Sequence, residues 1–75
     1  FKAINLSTLE DLASRNNLTE VTLETLVQAG FVSSNDKVKI LGNGTITRAL
    51  AVKANAFSKT AKAAIEAAGG SVEEI

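Results

Sequence analysis

Six cations and no anion occupy residues 37–65 of this chain: Lys37, Lys39, Arg48, Lys53, Lys59 and Lys62. The chemistry open to such a run is neutralisation of a polyanion, and nucleic acid is the commonest polyanion a protein meets. The full 75 residues hide this bias behind a formal net charge of +0. Residues 1–36 set Lys2 and Arg15 against Glu10, Asp11, Glu20, Glu24 and Asp36, a balance of −3, and Glu66, Glu73 and Glu74 return the total to zero.

The residue types that are missing restrict the chemistry further. With no His and no Cys, the usual general base, the strongest nucleophile and the commonest transition-metal ligands are gone. With no Trp or Tyr and only Phe1, Phe31 and Phe57, the chain lacks the aromatic platforms on which single-stranded bases stack. Carboxylates such as Glu20, Glu24 and Asp36 are the remaining route to an enzyme, and nothing in their spacing pairs them. Gly42-Asn43-Gly44 is not a nucleotide cradle, because the third glycine such a loop needs is replaced by Thr47 and no Gly-Lys-Ser/Thr follows. No apolar run approaches the ~20 residues that cross a bilayer, and no signal-peptide pattern opens the chain. The expectation is a protein without catalysis, cofactor, metal or membrane association.

The elements that must carry the cations read as follows. Ala3-Ile4-Asn5-Leu6 alternates like a short strand, and Ser7 with Glu10 forms a capping-box signature for a helix reaching Asn16-Asn17. Thr22 caps a second helix with the stripe Leu23, Leu26 and Val27, and Gly30 suits its C-terminal end. Ser33-Ser34-Asn35-Asp36 is a turn cluster. Val38-Lys39-Ile40-Leu41 is a strand and 45–54 an extended return, so Asn43-Gly44 predicts the tip of a β-hairpin. In that register Lys39 faces Arg48, a repulsive pair that a bound phosphate would reconcile. Ser58 caps a third helix with Ala61, Ala64, Ile65 and Ala68 on its apolar face; Gly69-Gly70 ends it and 71–75 is a closing strand. Lys59 and Lys62 fall in the first turn of that helix, where backbone N–H groups already favour anions, so an anionic partner is expected there. The fold class is α/β (α+β), a small single domain of three short helices packed on short strands including one β-hairpin. A core this small supplies about 3–5 kcal/mol of net stability.

Two stretches carry a family resemblance. Lys39-Ile40-Leu41-Gly42-Asn43-Gly44, and the run 50–59 leading into the Ala-rich helix and Gly69-Gly70, closely resemble the C-terminal domain of the bacterial-type large-subunit ribosomal protein L-fifteen family. The likeness covers nearly the whole chain, including the strand, helix and Glu20-Val21-Thr22 upstream. It implies a structural, non-catalytic constituent of the large subunit that binds rRNA and supports assembly and translation, in a cytoplasmic or organellar ribosome. The implied partners are large-subunit rRNA and neighbouring ribosomal proteins. It also implies a Gly-, Lys- and Arg-rich N-terminal extension ahead of a globular domain, here residues 1–75; the chain starts at Phe1 without one. The positions matched as RNA contacts are Lys39, Arg48, Lys53, Ser58, Lys59 and Lys62, with Lys37 added on charge. The alternative is a protein–protein adaptor docking through Leu and Val side chains of the first two helices.

Overall fold

Every strand pairing in this protein is parallel. The computed structural model describes residues 1–75, in the order β1 (Lys2–Asn5), α1 (Leu6–Asn16), β2 (Glu20–Val21), α2 (Leu23–Gln28), β3 (Val38–Leu41), β4 (Ala51–Ala54), β5 (Ala56–Phe57), α3 (Lys59–Ala67) and β6 (Ser71–Glu74). The odd-numbered strands make a first sheet, β1-β3-β5, and the even-numbered strands a second, β2-β4-β6. Parallel strands cannot be joined by a tight turn and need a crossover. Here α1 carries the chain from the edge of the first sheet to the edge of the second, and α3 does the same on the other side. The unit β1-α1-β2 is thus matched by β5-α3-β6, with β3 and β4 central.

This topology excludes the hairpin. Both edges of β3 are occupied, Lys39 lying between Ala3 of β1 and Ala56 of β5, so residues 42–50 leave the sheet as a loop. Gly44 does take a positive φ of 93°, but Asn43 does not, and a two-residue type I′ turn needs both. The Lys39–Arg48 pairing falls with it. The loop is held instead by its own apolar residues, Ile46 and Leu50, which are buried in the core.

That core unites the layers. Ile4, Val38 and Ile40 of the first sheet, Val21, Val52 and Ala54 of the second, Leu9, Leu12 and Ala13 of α1, Leu26 of α2, and Ala61 and Ile65 of α3 form one cluster. No polar or charged residue is buried in it. At Asn55 the chain passes from β4 to β5, and its side chain ties the two sheets together. Its Oδ1 accepts from Val38 N–H at 2.8 Å, while Nδ2 donates to the Ile75 carbonyl at 3.4 Å.

The helix ends follow local chemistry with one exception. Thr22 caps α2 in a reciprocal arrangement with Thr25, and Gly30, with φ 84°, follows its end. The capping box expected at Ser7 and Glu10 does not form, because α1 begins one residue before Ser7, with Asn5 in the cap position and giving no side-chain cap. Asn5 Oδ1 is buried without a hydrogen-bond partner. Glu10 has turned to the 42–50 loop, where it accepts from Thr47 N–H at 3.0 Å and from Thr47 Oγ1 at 2.7 Å.

Candidate nucleic-acid interface

The start of α3 grows directly out of the first sheet. Ser58 N–H donates to the Ile40 carbonyl at 2.9 Å, extending the β5–β3 ladder by one residue. In its extended conformation Ser58 then turns its Oγ onto Ala61 N–H at 3.1 Å, capping the helix. Lys59 and Lys62 follow, exposed, with no acidic residue in that first turn. Free N–H groups and two ammonium groups therefore share one helix end, an arrangement suited to phosphate.

Beside it, β3 alternates cleanly. Val38 and Ile40 enter the core, while Lys39 and Leu41 lie half-buried on the opposite face. Lys37, two residues before Lys39, is exposed. The Gly42-Asn43-Gly44 segment next threads between the starts of α1 and α3. A methyl group on Gly42 would meet Thr60 Cβ at 2.6 Å, and one on Gly44 would meet Ser7 Cβ at 2.6 Å and Ser7 N at 2.8 Å. Ser7 N–H donates to the Asn43 carbonyl at 3.2 Å. The glycines are a packing requirement of two crowded helix starts.

Not all the cations are equally free. The ion pairs of the chain are Arg15–Asp11 at 3.1 Å and Lys53–Glu20 at 3.5 Å. Lys53 also stands beside Glu73 in the β4–β6 register, so it belongs to a locally acidic surface. Arg48 lies near Glu10, whose carboxyl is held below its ordinary value chiefly by the Thr47 hydroxyl and then by Thr47 N–H, with the Arg48 charge contributing least. Asp36 is likewise lowered, by Ser33 N–H, which donates to its carboxylate at 2.9 Å. Of the seven positions singled out from sequence, Lys39 and Ser58 lie along the β3–β5 ladder with Lys59 and Lys62 following at the start of α3, while Lys37 precedes β3 at its other end. Arg48 and Lys53 sit beside carboxylates. The carboxylates Glu20, Glu24 and Asp36 are engaged separately, with Lys53, Gln28 and the Ser33 turn. The Asn55 bridge and the Glu10–Thr47 contact were not found from sequence, since each joins residues far apart in the chain.

Residues 3–73 match the model of the family that groups the 50S ribosomal proteins L15 and L18e with the 60S ribosomal protein L-twenty-seven-A. The chain belongs to this family. Across all 75 residues it is 57% identical to the large ribosomal subunit protein uL15 of Bacteroides thetaiotaomicron and 55% identical to that of Phocaeicola vulgatus. It is 56% identical to the uL15 of Porphyromonas gingivalis, again over its full length. These matches take in 100% of this chain and 51% of each relative, so the chain spans about half the length of the curated relatives it matches. Within the 50S-L15 family, the α/β layout with three helices is therefore the framework that presents the basic residues.

Proposed function

We propose that this domain is a non-catalytic structural part of the large ribosomal subunit, held on rRNA by phosphate contacts and supporting assembly and translation. One observation carries the reading beyond family membership. Lys39 lies on β3 with Lys37 just before it, Lys59 and Lys62 lie at the start of α3, which leaves the same sheet, and none of the four is in an ion pair. Cations left unpaired in a chain of net charge +0 are available to displace counterions from RNA. Contacts of this kind position a protein on folded RNA by shape, since duplex RNA offers side chains little sequence to read. Ser58 contributes through the capped helix end. Arg48, near Glu10, is a secondary contact, whereas Lys53, paired with Glu20 and beside Glu73, belongs to the acidic side and makes none. Neighbouring ribosomal proteins would meet the acidic side. The adaptor alternative loses its surface, because Leu9, Leu12 and Leu26 are buried and Leu23 and Val27 pack against the core.

The test is incorporation of tagged full-length variants into large subunits in cells. Lys59→Glu with Lys62→Glu should deplete the particle fraction, while Asp11→Lys with Glu24→Lys, on the exposed sides of α1 and α2, should not. Equal incorporation of the two variants would contradict a localised RNA face.

A further inference from the structure

A parallel sheet is normally covered on both faces. The first sheet is only partly covered on its outer face. Its inner face gives Ile4 and Ile40 to the core, and the helices flanking it bury Leu9, Leu12, Ala61 and Ile65 in that same cluster. Its outer face carries Ala3, Lys39 and Ala56 in one register row, with Lys37 before them and Leu41 after. Ala3 and Lys37 are exposed, and Lys39, Leu41 and Ala56 are half-buried. At about 4.8 Å between strands the row is roughly 10 Å wide, and Lys37 lies about 6.6 Å along β3 from Lys39. Alanine flanks Lys39 on both neighbouring strands, and no ion pair engages its ammonium group.

The second sheet presents the opposite charge. Val52 and Ala54 are buried, so Ala51 and Lys53 point outward. Their register neighbours are Glu20 and Ser71 beside Ala51, and Glu73 beside Lys53. Two carboxylates against one ammonium make this face acidic, whereas the row on the first sheet contains no acid.

We infer that the open face of the first sheet is the surface laid against the sugar–phosphate backbone of RNA, with Lys37 and Lys39 on phosphates, and that the outer face of the second sheet points away from it. This inference rests on the ribosomal reading above and adds the orientation of the domain. Charge complementarity commits the face to RNA: a protein partner would have to bring carboxylates to both lysines, while a nucleic acid strand brings a negative charge at every nucleotide. The α3 start, joined to β3 through Ser58, lies next to this face and supplies the continuation of the same track.

Lysine acetylation footprinting tests it on the full-length protein, with acetylation of each lysine read by mass spectrometry. The protein is compared free, within purified large subunits, and after ribonuclease digestion of those subunits. Lys37 and Lys39 should lose reactivity in the particle and recover it after digestion, while Lys53 on the second sheet reacts alike throughout. If Lys37 and Lys39 stay reactive in particles that contain the protein, the face is wrong and the ribosomal reading stands. Protection that survives ribonuclease would put a protein on the face and overturn the assignment to RNA. Absence of the protein from the large-subunit fraction would overturn the ribosomal reading, and the orientation with it.

Discussion

Replacing Gly44 by alanine adds one methyl group where the start of α1 leaves no room for it. Two costs combine there. Gly44 has φ 93°, a left-handed conformation that costs an L-residue about 1–2 kcal/mol. The stiffer unfolded chain gives back about 0.4–1 kcal/mol, leaving a net of about 1 kcal/mol. Gly30, with φ 84°, carries the same conformational cost, but a methyl group there meets nothing within 4 Å. At Gly44 the methyl would stand 2.6 Å from Ser7 Cβ and 2.8 Å from Ser7 N. That nitrogen is backbone in the first turn of α1 and cannot swing aside, so overpacking adds about 1–3 kcal/mol. The expected loss is therefore about 1 kcal/mol for Gly30→Ala and about 2–4 kcal/mol for Gly44→Ala. Against a total of about 3–5 kcal/mol for a domain of this size, the first should fold and the second should be largely unfolded. Urea titration followed by far-ultraviolet circular dichroism separates them. With a slope of about 1 kcal/mol per molar, Gly30→Ala lowers the midpoint by about 1 M and Gly44→Ala removes most of the folded baseline. A Gly44→Ala midpoint no lower than that of Gly30→Ala would refute the packing of this loop against α1.

Three further perturbations probe the parts that position the site. Leu50→Ala empties a fully buried position in the 42–50 loop and should cost about 2–5 kcal/mol, visible as a lost or much lowered thermal transition. Asn55→Ala leaves the Val38 N–H without its acceptor, which should cost about 1–3 kcal/mol and speed hydrogen exchange at Val38. Glu10 has its folded-state value below the ordinary 4.5, so its contribution is complete above that value and is lost as pH falls through the lowered one. Glu10→Gln should therefore flatten the acid side of the stability–pH curve, and an unchanged slope would mean that the Thr47 contact does not hold the loop in solution.

What was legible in the sequence was local. Thr22 and Ser58 cap helices, Gly30 and Gly69 follow helix ends with positive φ, and the apolar stripes enter the core, because each depends on residues within a turn or two. Strand pairing is not local. Asn43-Gly44 between two extended runs carries the same short-range signal whether or not the edges of the first run are free, and both edges of β3 are taken by β1 and β5. The strands β2 and β5 are only two residues long each, too short to show a period. Glu10 satisfied the capping-box spacing, yet it bonds to Thr47, 37 residues away, and this contact won. The candidate site divides in the same way. The run of cations is visible in the chain, but which of them stay free follows from strand pairing within the second sheet, which sets Lys53 beside Glu73 and Glu20.

The most direct measurement is sedimentation of a native extract through a low-magnesium sucrose gradient, with quantitative peptide mass spectrometry and a parallel ribonuclease-treated sample. Peptides of this chain should peak in stoichiometric amount with the large subunit and move to the top of the gradient once the RNA is digested. Peptides that stay at the top beside intact large subunits would contradict a ribosomal, RNA-held role.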